Sequence, residues 1–338
     1  SSATDIHNDL VWHPRSLHKT IVDNIGYPPP VAEFGAADKS LVTGCMKCSW
    51  DINVKWQADA LNYLINNEGY EVIFSHFHNV DLQEHMFIKH LAEKEFNRLP
   101  HEAYEKFMED IYVQTDYYLG KFLHLLDEGW TILIFSDHGQ VAPKHDLHLI
   151  CDASGVSVGV MKELGFTALK QDENGNDLPE IDWEHTIAVA QRECHIYLNL
   201  KGRESHGIVD PADQYELEEQ IITDLYKYEY NGKRCVALAL RAQDAALLGL
   251  KGEGCGDIVY FLSEGFNRVH GDALPTYEGL LDTSVSPIFI AAGAGVKQGY
   301  TTKRVIREMD VAPTVAAILG VRMPRECEGA PVYQILQD

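Results

Sequence analysis

The chain has 338 residues, 45% of them hydrophobic, and a formal net charge of −23. So acidic a surface repels nucleic acid and anionic membranes, which excludes a nucleic-acid polymer as partner. No apolar run approaches the length of a membrane span, and the length suits one large α/β domain with an appendage.

Residues 1–50 carry little periodic signal: Tyr27-Pro28-Pro29-Pro30 reads as an extended stretch, with His7, His13 and His18 dispersed among polar neighbours. The seven cysteines, Cys45, Cys48, Cys151, Cys194, Cys235, Cys255 and Cys327, are odd in number and scattered. With no signal peptide visible, they read as free thiols of a reducing, cytoplasmic compartment. Cys45 and Cys48 form a lone C-x-x-C, and a zinc knuckle needs a second pair. From 53 to 66, Val54, Ala58, Leu61, Leu64 and Ile65 follow helical spacing, and Gly69 closes the segment.

Residues 70–75 (YEVIFS) read as a buried strand ending in a polar cluster that holds His76, His78 and Asp81. If a helical turn begins there, Asp81 and His85 share a face at i and i+4 and grip one ion. The bland reading is a polar helix start with Asp81 favoured by the dipole, and His76 and His78 compete as ligands. Residues 101–127 form an amphipathic helix with a stripe of Tyr104, Phe107, Met108, Ile111, Tyr112, Thr115, Tyr118, Leu119, Phe122 and Leu126. Strand, helix and strand in that order predict a parallel crossover.

The second strand, Thr131-Ile132-Leu133-Ile134-Phe135, runs into Ser136-Asp137-His138-Gly139. Just past a buried strand is where open α/β sheets place ligands, and Gly139 permits a turn that turns both side chains to one point. A capping Asp137 and a surface His138 are the alternative. Beyond lie further histidines, His145 and His148, a solvated loop or hairpin tip at 171–177, and strand character at 195–200. A helix over 214–226 begins after Asp210-Pro211, and a strand follows at 235–240. Residues 201–257 read as a small α+β subdomain, with 1–200 and 258–338 forming the α/β core. Residues 257–261 and 286–293 supply further core strands, separated by a loop that carries His270. Asp310 is expected to cap a final helix that stops at Gly320.

The ordered set D-x-x-x-H at Asp81/His85, S-D-H-G at 136–139, His270, and the closing D-V-A-P-T…L-G…G at 310–329 resembles the alkaline phosphatase superfamily. It is most similar to the nucleotide pyrophosphatase/phosphodiesterase branch. The resemblance runs from about residue 70 to the end and is loose over 151–257. It implies a doubly wound, mostly parallel sheet with helices on both faces. It also implies two divalent metal ions, zinc or alternatively manganese, with Asp81, His85 and His270 holding one and Asp137 and His138 the other. The implied substrate is a small anionic phosphate ester, a phosphodiester or pyrophosphate before a phosphonate, a monoester or a phosphoglycerate. A sulfatase is disfavoured because C-x-P-x-R is absent. Carboxylate oxygen and imidazole nitrogen suit zinc, and two such ions clamp the attacking and leaving oxygens of an in-line displacement.

The sequence departs from the family pattern in one respect. An early strand aspartate and a Ser/Thr nucleophile upstream of the D-x-x-x-H motif have no counterpart among residues 1–80. The expectation is that both precede Ser1, so no nucleophile is assigned. A metal-binding remnant without catalysis is the reading from another class.

Overall fold

The computed structural model describes residues 8–30, 39–92, 99–140, 158–191, 195–250, 252–263, 283–284 and 286–337, with the side chains of 39–42, 85–86, 88–92, 158 and 283–284 also outside that description. Two compact units emerge, Ser1–Gln140 with Pro287–Asp338, and Val141–Ser286.

Among the described residues of the first unit four α-helices precede the first strand: α1 (Ser16–Asn24), α2 (Lys39–Asn67), α3 (Asn79–Ala92) and α4 (His101–Gly120). Helix α2 starts well before the predicted 53. Met46, Trp50, Val54 and Ala58 recur every fourth residue, and none is more than 1% exposed. Met46 and Trp50 pack with Tyr104, Phe107 and Ile111 of α4 and with Phe87 of α3, whose ring stacks on Phe107 at 4.6 Å. Val54 and Ala58 pack with Tyr118 further along α4. Each large side chain so withdrawn from water contributes about 1.5–3 kcal/mol. Tyr112, expected in the buried stripe of α4, is exposed, and its hydroxyl donates to Glu84 Oε1 at 2.9 Å.

A chain of buried amides sets the register of these helices. Gln83 of α3 donates to Gln114 Oε1 of α4 at 3.1 Å, and Gln114 donates to Asp51 Oδ1 of α2 at 2.8 Å. Buried polar groups without partners are costly, so sliding any one helix would strand at least one amide. After α4 the chain tightens into a 3-10 turn, Leu123–Glu128, and leaves it through Gly129 at φ 84°.

Thr131–Phe135 forms a strand as predicted, but its described partner is Phe289–Gly293, running antiparallel with Leu133 opposite Ala291. The predicted strand at 70–75 is irregular and takes no strand partner among the described residues. Val72 is 56% and Phe74 80% exposed, so this run is not buried. An apolar run becomes a strand only where a neighbour accepts its ladder, and the composition of the run does not name that neighbour. In each strand pair whose register is described the strands are antiparallel.

The final helix, Val311–Leu319, stops at Gly320 in the left-handed region, φ 65°. Asp310 does not cap it with its side chain. Fully buried, the Asp310 carboxylate accepts from the backbone N–H of Arg307 and Ala330 and from the guanidinium groups of Arg304 and Arg307. Gly329 makes this possible: a Cβ there would lie 1.9 Å from Met309 O. Thr314 completes the knot, donating to Asp310 O at 2.6 Å and accepting from Val332 N at 2.9 Å.

The second unit is built on a four-stranded sheet in the order Ala188–Gln191, His195–Leu198, Ile258–Leu262, Val236–Arg241. Strands on both sides of the expected 201–257 boundaries thus share one sheet. Its core joins Ile196, Leu198, Val236, Ile258 and Tyr260 to Ile221 and Leu225 of the helix Gln214–Lys227. Arg203 braces it with a forked contact to Asp257, Nη1–Oδ1 2.6 Å and Nη2–Oδ2 2.7 Å. Leu169–Gln171 and Asp177–Ile181 form a hairpin, which decides between the loop and the hairpin tip that the sequence left open at 171–177.

Candidate active site

Two chain segments of the first unit bring chemically able side chains together. The first is the approach to α3. Phe77 stacks on Tyr118 of α4 with ring centroids 3.9 Å apart and planes at 8°, and Ser75 Oγ lies 3.0 Å from the Tyr118 hydroxyl. Burial lifts the Tyr118 phenol above its ordinary value, so that hydroxyl stays protonated. Asn79, fully buried at the first turn of α3, points its amide at Ile111 O, 3.4 Å away. These contacts hold the helix start against α4, and Asp81 follows within the first turn, where the dipole favours a carboxylate.

The second segment is the end of the Thr131–Phe135 strand. Ser136 Oγ donates to His138 O at 2.7 Å, and His138 N donates to Asp137 Oδ1 at 3.1 Å. This tight turn sends the two neighbouring side chains into different surroundings. Asp137 is 69% exposed, whereas the His138 ring is 18% exposed and faces Asp81, with Nε2 3.3 Å from Asp81 Oδ1. Asp137 Oδ1 stands 4.0 Å from the same nitrogen. The other ring nitrogen, Nδ1, lies 3.2 Å from Gly139 O. The bond to Asp81 lifts the His138 imidazole above its ordinary value, against burial, with smaller support from Gly139 O and Asp137.

His138 and Asp81 therefore meet, whereas Asp137 stays largely in solvent, so the turn does not aim both of its side chains at one point as the sequence led us to expect. His85 lies on α3 one turn beyond Asp81, but its side chain, like all of His270, falls outside the described residues, as do His145 and His148. Among the described residues no three His, Cys, Asp or Glu side chains are grouped to hold one metal ion. His78, weighed with His76 as a competing ligand, is a partner of Asp81 in the structure. Its Nε2 lies 2.5 Å from Asp81 Oδ2, so Asp81 sits between two imidazoles. The available signal was its position three residues before Asp81 at a helix start.

Residues 10–283 match the model of the type I phosphodiesterase / nucleotide pyrophosphatase family. The chain belongs to that family. Among solved structures it is similar to the wild type alkaline phosphatase PafA, with a TM-score of 0.52 and 17% identity over 88% of this chain and 54% of that one. At that identity the likeness establishes a mixed α/β, alkaline-phosphatase-like fold, and the chain spans about half the length of PafA, 54%. No curated protein matches. Among the described residues of this family member no helix is long and apolar enough to cross a membrane.

Proposed function

We propose that the protein is a metal-dependent hydrolase of phosphate esters, with phosphodiesters or pyrophosphates as its preferred substrates. The observation that carries the proposal is the meeting of Asp81 with His138, 3.3 Å apart and with Asp137 beside the same imidazole, from two distant segments of a chain of the phosphodiesterase family. The donor set fits a borderline divalent cation, since it offers only carboxylate oxygen and imidazole nitrogen. The orientation of His138 fits as well. An Nδ1–H donated to Gly139 O leaves Nε2 as the coordinating nitrogen, the usual arrangement of a metal-bound histidine.

On this reading Asp81 and His85 help hold one ion, and Asp137 and His138 help hold the other, zinc or alternatively manganese. Bound there, the pair supplies Lewis-acid polarisation of the phosphoryl group and charge for the leaving oxyanion. The chain's own residues fix the donors: the α4 contacts hold the Asp81 end and the Ser136 hydroxyl holds the His138 end. The attacking hydroxyl is not assigned to a residue.

The test is turnover of nitrophenyl phosphodiester, phosphomonoester and sulfate esters by the full-length gene product, with zinc or manganese and after chelation. Metal-dependent diester cleavage, faster than monoester cleavage, is expected. Sulfate ester turnover alone would overturn the substrate class, and bound zinc with no turnover of any ester would identify a metal-binding protein without catalysis.

A further inference from the structure

Of all the groups around Asp81, His78 is the one the proposed metal centre leaves without a task. Its geometry is nonetheless specific. Asp81 has its two oxygens committed in different directions, Oδ2 to His78 Nε2 at 2.5 Å and Oδ1 toward His138 Nε2 at 3.3 Å. A carboxylate can accept only, so His78 Nε2 carries the hydrogen in that contact.

The His78 ring is well placed to act as a fixed donor. It lies against His76, ring centroids 4.7 Å apart and planes 33° from parallel. Its chain neighbours on either side are tied to α4, Phe77 through the Tyr118 ring and Asn79 through Ile111 O. The donor and the carboxylate it meets thus share one anchored turn. A freely turning carboxylate alternates between one-oxygen and two-oxygen binding, whereas one held at Oδ2 presents a single oxygen in a set direction.

We propose that His78 is a positioning residue: its bond to Oδ2 fixes the Asp81 carboxylate so that Oδ1 faces the His138 side as the cation-binding oxygen. This rests on the metal-centre reading above. The competing role is structural, an i, i+3 pair that steadies the start of α3 and does nothing for a cation.

The two roles separate in metal affinity. Removing a hydrogen-bond partner of a ligand lowers metal affinity by about 10–100-fold, whereas losing a helix-start contact lowers only the stability of the metal-free protein. We would measure zinc affinity of full-length wild type, His78→Ala and His78→Gln by competition with a chromophoric chelator, alongside thermal unfolding of each metal-free protein. His78→Ala should bind zinc at least about 10-fold more weakly. His78→Gln, whose amide donates the same hydrogen bond but seldom ligates zinc, should recover most of that loss.

Wild-type affinity in His78→Ala would overturn the proposal in favour of the structural role. A His78→Gln variant as weak as His78→Ala would overturn it in favour of His78 as a direct ligand. If His78→Ala fails to fold, the comparison of His78→Gln with wild type still decides, because a positioning role demands near-wild-type affinity there. Absence of zinc binding in all three proteins would sink the metal-centre reading, and this proposal with it, in a pattern unlike either other failure.

Discussion

Replacing Asp310 by asparagine tests whether the closing motif of the chain is held by charge or merely by shape. Four donors converge on this carboxylate, whose side chain is 1% exposed. They are Ala330 N at 2.9 Å, Arg307 N at 3.1 Å, Arg307 Nη2 at 3.1 Å and Arg304 Nη2 at 3.2 Å. Asparagine keeps one acceptor and turns an NH2 toward the donors of the other. One backbone N–H and one guanidinium contact are then lost, and the remaining arginine contact loses its charge partner. Arg307 can recover water because its side chain is 57% exposed, which trims the penalty. The sum is about 3 kcal/mol, from about 1–3 for the stranded buried group plus part of a broken buried ion pair. Urea unfolding near neutral pH should register it as a lower midpoint with an unchanged slope.

The same substitution carries a pH signature. Burial alone raises the Asp310 carboxyl, but the N–H groups of Ala330 and Arg307 and the Arg307 guanidinium prevail and hold it at about 2, below its ordinary 3.8. A carboxylate depressed in the fold contributes stability above its unfolded value and loses it as pH falls through the folded one. The wild type should therefore lose this contribution between about pH 4 and about pH 2, and Asp310→Asn should show no such limb from this site. A loss under about 1 kcal/mol at neutral pH, the cost of an ordinary net hydrogen bond, would refute the assignment of this carboxylate as a charge-held knot.

Gly329→Ala should destabilise by about 1–3 kcal/mol, because the new methyl meets backbone, Met309 O at 1.9 Å, rather than a side chain able to turn away; a neutral result by urea unfolding would contradict the close approach. In the second unit, Asp257→Asn keeps one acceptor, so it breaks one arm of the Arg203 fork and removes the charge from the other, the retained oxygen taking the Oδ2 place that also accepts from Leu198 N at 2.7 Å. It should cost about 2–3 kcal/mol, discounted for the partly exposed arginine, and thermal unfolding will read it. Asp137→Asn and His85→Ala should each abolish metal-dependent ester cleavage while leaving circular dichroism unchanged, whereas His145→Ala and His148→Ala should do much less. Unchanged turnover in the first two would remove them from the ligand set.

What the sequence discloses follows from which forces are local. The stripe of α4 is legible because helical spacing puts Tyr104, Phe107, Ile111 and Tyr118 on one face without reference to anything else. The first half of α2 was obscured because Met46 and Trp50 stand among cysteine, lysine and serine, and only their alignment with Val54 and Ala58 reveals the stripe. Strand content at 131–135 and 289–293 was legible, but which strand pairs with which is settled far along the chain, and the ladder proved antiparallel. The misreading of 70–75 has the same origin. Asp310 looked like a cap because the residues around it fit one. Its partners Arg304 and Ala330 are set by a backbone approach that Gly329 alone permits, which gives the motif's closing glycine a physical cause. At the site, Asp81 and His138 were legible by residue type and by position at element ends. His78 was legible only as one competing ligand beside His76, since nothing in a histidine near a helix start says that its ring lies on the Asp81 carboxylate.

Electrostatics links the proposed substrate to the proposed metals more tightly than either stands alone. A phosphate ester approaching Asp81 and Asp137 meets two carboxylates on a chain of net charge −23. At a separation of about 4 Å and an effective dielectric of about 20, each like-charge pair costs about 4 kcal/mol, enough to prevent binding. The two divalent ions proposed there would change the local sum on Asp81 and Asp137 from −2 to +2, since −2 + 4 = +2. Affinity for the anion should therefore depend on the metal before any bond is broken. Inorganic phosphate titrated into zinc-loaded protein should give measurable heat that chelation removes. Equal phosphate binding with and without zinc would mean that the anion is held by basic groups elsewhere, and that Asp81 and Asp137 do not face it.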